Sequence, residues 1–286
     1  MADDPSTPPP LRGGYAQGER KCGPEDGAGL HHEDVGAGSP VVLLHGWSLS
    51  SAVFEPEASL LARHRRVIAP DLRGHGRSPA GPSSLADFAR DVAALVDRLG
   101  LERAVLVGWS LGAQVALAAL PLVRPRLAAL VLVAGTPRFT QGEGWPHGLP
   151  AQAVEVLAHR VRRDPARAMA RFFDGMFAEG ELDDAARTRL RALRAAIPLP
   201  DPAAALSGLE LLAREDLRGA LAAVDLPVLL VHGERDPICP PAASRAMAAA
   251  IPAARLAVLP GAGHAPFLAR PGALADAVLS FTAAGA

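Results

Sequence analysis

The sequence predicts an α/β fold: a mostly parallel sheet with flanking helices and a helical lid insert. Three observations predict it. From about residue 30, short β-rich runs alternate with helical stretches, the order that builds a parallel sheet covered by helices. Between about residues 139 and 224 the strand signals vanish, and they resume at 227. Between an apolar run and an alanine- and leucine-rich run, "GWSLG" at 108–112 sets a serine between two glycines.

Residues 1–28, rich in Pro, Gly and charge, read as a disordered tail, and they lack the apolar segment of a signal peptide. The first part of the core spans 29–138. Its candidate strands are "VVLLH" (41–45), "RVIAP" (66–70), "AVLVG" (104–108) and "LAALVLVA" (127–134), with helices expected over 85–99 and 111–120. The lid spans 139–224. There "DPARAMARFF" and "DPAAALSGLELLA" each place an aspartate, Asp164 or Asp201, as N-cap before a proline at the first helical position. "LDDAARTRLRALRAAI" carries acids first and arginines later, the order that the helix dipole favours. The second part of the core, 225–286, offers strands "PVLLVHG" (227–233) and "RLAVLP" (255–260) and helices over 241–251 and 271–284.

Composition narrows the function. A formal net charge of -1 argues against a nucleic-acid binder that relies on a basic surface. No apolar run reaches membrane-spanning length. Two cysteines, Cys22 and Cys239, fall in the tail and in a distant loop, so a disulfide framework is not expected and a reducing, cytoplasmic setting is.

Gly108-Trp109-Ser110-Leu111-Gly112 matches G-x-S-x-G, a strand-to-helix elbow that exposes a nucleophilic serine; its flanking glycines avoid Cβ clashes in a sharp turn. The bland reading is a glycine-rich β–α turn with an incidental serine. A serine hydroxyl needs a base, and the base needs an orienting acid. His264, in "LPGAGHAPF" after the last strand, stands where the order Ser…Asp/Glu…His expects the base. His45 and His232 close strands and His75 sits in "RGHGRS", so these three read as structural. For the acid, "HGERDPICP" offers Glu234 and Asp236, and Asp71 is a weaker candidate because it precedes the serine. The Leu111 N–H, at a helix N-terminus, is one oxyanion donor; "LLHGW" supplies the Trp47 N–H as the second.

These residues make the chain resemble the α/β-hydrolases. "LLHGW", "VGWSLG", "GTPRFTQGEGWPHGL", "GLELLAREDLR" and "GHAPFLARP" narrow the likeness to the pimeloyl-[acyl-carrier protein] methyl ester esterase family of biotin synthesis, over roughly residues 30 to 286. The resemblance implies an α/β-hydrolase fold and a triad of Ser110, Asp236 and His264, which selects Asp236 over Glu234. It implies an oxyanion hole from Trp47 and Leu111, and a substrate pocket including Trp47, Leu111, Phe172, Met176 and His264. It also implies that the lid presents arginines to an acidic carrier protein. The matching positions are Arg167, Arg171, Arg187 and Arg191, paired at i, i+4 so that each pair shares a helix face. Against this stands a simple solvated face, with Glu179, Glu181, Asp183 and Asp184 close by to offset the charge.

The chain departs from the family in two places. A short insertion falls between Phe172 and Arg187, near "MFAEGELDD", and Met176 stands where the family has a polar amide. The function implied is a serine carboxylesterase that hydrolyses the carrier-bound methyl ester, with no metal or organic cofactor, in a monomeric protein. A general short-chain carboxylesterase is the alternative, followed by a haloperoxidase-like or C–C bond hydrolase and by a non-catalytic small-molecule receptor. A serine at the elbow disfavours the aspartate-nucleophile haloalkane dehalogenases and epoxide hydrolases.

Overall fold

The computed structural model describes residues 21–22, 29–81 and 84–284. Apart from the two-residue strand β1 (Lys21–Cys22), the expected N-terminal tail lies outside them. The other strands are β2 (His32–Gly36), β3 (Pro40–Leu44), β4 (Arg66–Pro70), β5 (Ala104–Trp109), β6 (Leu127–Val133), β7 (Val228–Gly233) and β8 (Ala254–Leu259). They form one sheet in the order β1-β2-β4-β3-β5-β6-β7-β8. From β4 through β8 every pairing is parallel; β2 pairs antiparallel to β4 and to β1. Strands buried on both faces read as continuous apolar runs, and β3, β5 and β7 are buried at every position.

The period of two along β5 divides the core. Ala104 and Leu106 join the apolar cluster on one face, and Val105, Val107 and Trp109 join the cluster on the other. Helices α1 (Glu55–Leu61), α2 (Leu85–Arg98), α3 (Leu111–Val123), α8 (Pro241–Ala250), α9 (Pro266–Ala269) and α10 (Ala273–Ala283) accompany the strands. Ser84 starts α2 through a capping box with Asp87. The buried Glu57 carboxylate of α1 accepts the N–H groups of Gly272 (2.6 Å) and Ala275 (2.7 Å) and so anchors the start of α10.

Between β6 and β7 lie four helices, α4 (Ala151–Arg163), α5 (Pro165–Asp174), α6 (Asp184–Ala196) and α7 (Pro202–Arg214). Asp164 caps α5, Asp183 caps α6 and Asp201 caps α7, each through its carboxylate. The sequence reading missed several elements, among them β2, whose "HEDVG" is polar, α1, a seven-residue helix behind a 3₁₀ turn at Ser51–Phe54, the lid-region helix α4 and the four-residue α9.

Candidate active site

Ser110 occupies the step from β5 to α3, with φ 56° and ψ −115°. A non-glycine residue in that region carries about 1–3 kcal/mol of strain, held by the elements on either side. The glycines permit the turn. A Cβ on Gly108 would overlap the Gly112 carbonyl oxygen, and one on Gly112 would overlap that of Leu44 in β3.

The strained turn sets Ser110 Oγ 2.9 Å from His264 Nε2, across 154 residues of chain. His264 Nδ1 lies 2.8 Å from Asp236 Oδ2; with the ring proton on that side, Nε2 faces the serine and can accept its proton. The histidine is fully buried and held at its backbone as well. Its carbonyl accepts the Trp109 indole N–H (2.9 Å), and its N–H donates to the Met176 carbonyl (2.7 Å). Asp236 Oδ1 accepts from the N–H groups of Ile238 (2.8 Å) and Cys239 (2.9 Å). Burial alone would raise the Asp236 carboxyl. The charge of His264 and the hydrogen bonds from His232 and His264 outweigh it and hold the group well below the usual carboxylate range. A carboxylate, an imidazole and a hydroxyl in this sequence form a proton-transfer chain able to make a serine nucleophilic.

The other acids named from the sequence lie elsewhere. Glu234 is exposed, and its carboxylate accepts the Gly261 N–H at 3.0 Å. Asp71 is buried and accepts from the N–H groups of Ser51 (2.7 Å) and Arg77 (2.9 Å). His45 and His75 are in edge contact, with ring centroids 5.3 Å apart, beneath the loop that carries Trp47. His45 Nε2 accepts the Leu72 N–H (2.9 Å), and His75 Nε2 accepts the Ser48 N–H (3.2 Å). Burial pushes His45 down to about 4 and lowers His75 as well, so both stay neutral acceptors near pH 7.

His232 is more than a strand end. Its Nε2 lies 2.8 Å from the Cys239 carbonyl and 3.1 Å from Asp236 Oδ2, while Nδ1 lies 2.5 Å from Ser244 Oγ. A second imidazole therefore touches the same carboxylate oxygen as His264. Its i, i+4 spacing to Asp236 was the one sequence signal for it, and a loop separates the two residues. The buried Cys239 thiol is pushed up by burial and by the Asp236 charge, which leaves it unreactive.

The Trp47 loop lies against the elbow: a Cβ on Gly46 would meet the Trp109 ring at 3.3 Å and Ser110 Cβ at 3.4 Å. The Trp47 indole donates to the Ala205 carbonyl of α7 at 2.8 Å. Gly208, in "GLELLA", leaves room for that ring, since a Cβ there would come within 2.7 Å of Trp47 Cδ1. Phe172 of α5 meets Trp47 edge-on, with centroids 4.9 Å apart. Leu111 opens α3, so its N–H has no intrahelical acceptor. Beside Phe172 is a cleft of about 240 Å³, lined by Phe139, Leu149, Val154, Leu157 and Ile238, with Arg160 and Arg171 on its wall. Met176 is buried and meets His264 through its backbone. Arg167 and Arg171 on α5, and Arg187 and Arg191 on α6, are all exposed.

The family described as "alpha/beta hydrolase fold" matches residues 39–271. The chain belongs to the α/β-hydrolases. Within them it is 38% identical over 259 residues to the pimeloyl-[acyl-carrier protein] methyl ester esterase of Xanthomonas campestris pv. campestris (strain B100), covering 89% of this chain and 99% of that one. It is also 38% identical over 247 residues to the protein of the same name from Nitrosomonas europaea, with 85% and 96% covered. Among solved structures, an esterase from Exiguobacterium antarcticum superposes with a TM-score of 0.82 at 28% identity, covering 89% of this chain and 95% of that one. A bromoperoxidase from Bacillus anthracis gives 0.83 at 25%, covering 93% and 100%.

Proposed function

We propose that this protein is a serine carboxylesterase that hydrolyses the methyl ester of pimeloyl-[acyl-carrier protein] to free pimeloyl-[acyl-carrier protein] and methanol, a step of biotin synthesis. One observation carries the chemistry: the unbroken contact chain Asp236–His264–Ser110 at a strained elbow. The names of the two relatives, each covered almost end to end, supply the substrate.

Ser110 Oγ attacks the ester carbonyl while His264 Nε2 takes its proton, and Asp236 stabilises the imidazolium. The N–H groups of Trp47 and Leu111 receive the negative charge on the tetrahedral oxygen. His264 then protonates the departing methoxide, methanol leaves, and a water activated by the same histidine hydrolyses the acyl-enzyme. Each step uses the chain's own side chains and backbone N–H groups together with water, so the reaction calls for no metal or organic cofactor. Trp47, Leu111, Phe172, Met176 and His264 surround the acyl group in this reading. The helices between β6 and β7 act as the lid, and Arg167, Arg171, Arg187 and Arg191 face the acidic carrier protein.

The setting proposed is the cytoplasm and the working unit a monomer. Among the described residues no helix is long and apolar enough to cross a membrane. A general short-chain carboxylesterase is the second reading, favoured by the structural likeness to the Exiguobacterium esterase. The test compares kcat/KM for pimeloyl methyl ester on its carrier protein with that for the free ester. A clear preference for the carrier-bound form supports the first reading, and equal rates support the second.

A further inference from the structure

We infer that Glu181 is a positioning residue for His264: its carboxylate pins the segment after α5 to the loop that carries the histidine. The inference rests on the reading of His264 as the general base.

The segment following α5 has no regular secondary structure up to α6, yet it supplies the acceptor for the His264 N–H, the Met176 carbonyl at 2.7 Å. Something must fix that carbonyl. Glu181 closes a turn by donating its N–H to the Ala178 carbonyl (3.1 Å), with Gly180 at φ +77°. A single oxygen of its side chain, Oε2, then accepts two N–H groups, those of Ala178 (2.7 Å) and Gly263 (2.9 Å). Gly263 is the residue immediately before His264. One neighbour of Asp236 is tied to the same segment, since Arg235 Nη1 donates to the Glu179 carbonyl at 3.1 Å.

The fit leaves no slack. A Cβ on Gly263 would meet the Met176 carbonyl oxygen at 2.5 Å, Glu181 Oε2 at 2.7 Å and the Ala178 nitrogen at 2.8 Å. The other carboxylate oxygen, Oε1, is buried with no hydrogen-bond partner among the described residues. Leaving a buried acceptor unpaired is costly, so this acid is not an ordinary solvated surface charge. Its two bonds set the position of the main chain on both sides of the Met176–His264 contact. Through α5, where Phe172 packs on Trp47, the same element reaches the other side of the site. A general base must be held within a fraction of an ångström, and a displacement of about 1 Å can cost on the order of a hundredfold in rate.

Two conservative variants of the full chain separate hydrogen-bond geometry from charge. Glu181→Gln keeps the side-chain length and one oxygen for both N–H groups. Glu181→Asp keeps the charge but withdraws the carboxylate by one methylene. With p-nitrophenyl butyrate as probe, Glu181→Asp is expected to lose about tenfold or more in kcat with KM within about twofold, while Glu181→Gln stays near wild type. Amide exchange at Gly263 and His264 should quicken in the Asp variant alone. Wild-type kcat in Glu181→Asp, or a Gln variant impaired as much as the Asp variant, overturns the inference. His264→Ala is the control: if it retains activity, the reading of the base fails, whereas an inactive His264→Ala beside a fully active Glu181→Asp defeats the positioning role alone.

Discussion

Gly112 lies so close to Leu44 that a β-carbon on the glycine would overlap the leucine carbonyl oxygen. This contact between α3 and β3 sets how near the helix carrying Leu111 can come to the loop carrying Trp47. Gly112→Ala must push the two apart, and overpacking of this kind costs about 1–3 kcal/mol. The variant is expected to unfold at lower temperature and to lose esterase activity disproportionately. Calorimetry together with p-nitrophenyl butyrate turnover checks both, and an unchanged melting temperature would mean that the contact is looser than described.

Asp236→Asn should cost on the order of 10⁴-fold in kcat, because an amide favours the wrong tautomer of His264. Glu234→Gln should be nearly silent, since that carboxylate is exposed and bonded to the Gly261 N–H. Steady-state kinetics of the pair decides the acid, and the reverse pattern would assign it to Glu234.

Stability should fall as pH drops from about 6.5 toward 4. The folded His45 imidazole is pushed down to about 4 by burial, whereas in the unfolded chain it titrates near 6.5. Between those values the unfolded state binds the extra proton, so acid favours unfolding; the loss is complete below the folded value. At about 1.4 kcal/mol per unit, this one group accounts for about 3 kcal/mol. His75 and His32, also lowered by burial, act in the same direction. Urea denaturation at stepped pH measures the slope, and flat stability between pH 7 and 5 would contradict buried neutral histidines.

Replacing Arg167, Arg171, Arg187 and Arg191 with alanine should raise KM for a carrier-bound ester and flatten its salt dependence. Charges at the rim of an interface steer association, and salt screens them over a Debye length of about 8 Å at physiological ionic strength. Hydrolysis of a small free ester should barely change. If KM for the carrier-bound ester does not move, the four arginines are a solvated face.

The sheet and the elbow were legible in the sequence because the physics is local. Apolar runs of strand length, the glycines around Ser110 and the Asp-Pro starts of α5 and α7 each act within a few residues. Strand β2 was not, since its polar "HEDVG" is stabilised by pairing with β4, and by Arg66 holding Asp34 at 2.7 Å. The order of motifs led to Ser110 and His264 and to a pair of acids, Glu234 and Asp236, between which the family resemblance chose Asp236; the structure brings Ser110, His264 and Asp236 into contact. It could not show His232 on the Asp236 carboxylate or Glu181 on Gly263. The second of these contacts spans 82 residues and depends on how the segment between α5 and α6 settles on the core.

The most direct test of the account is methanol release from pimeloyl-[acyl-carrier protein] methyl ester by the purified protein and by Ser110→Ala. The substitution removes one hydroxyl and no core volume, so the fold should persist, as circular dichroism can verify. The account predicts one methanol per ester cleaved by the wild-type enzyme and a loss of about 10⁴-fold or more in the variant. Methanol release by a folded Ser110→Ala protein at a rate near wild type would contradict it.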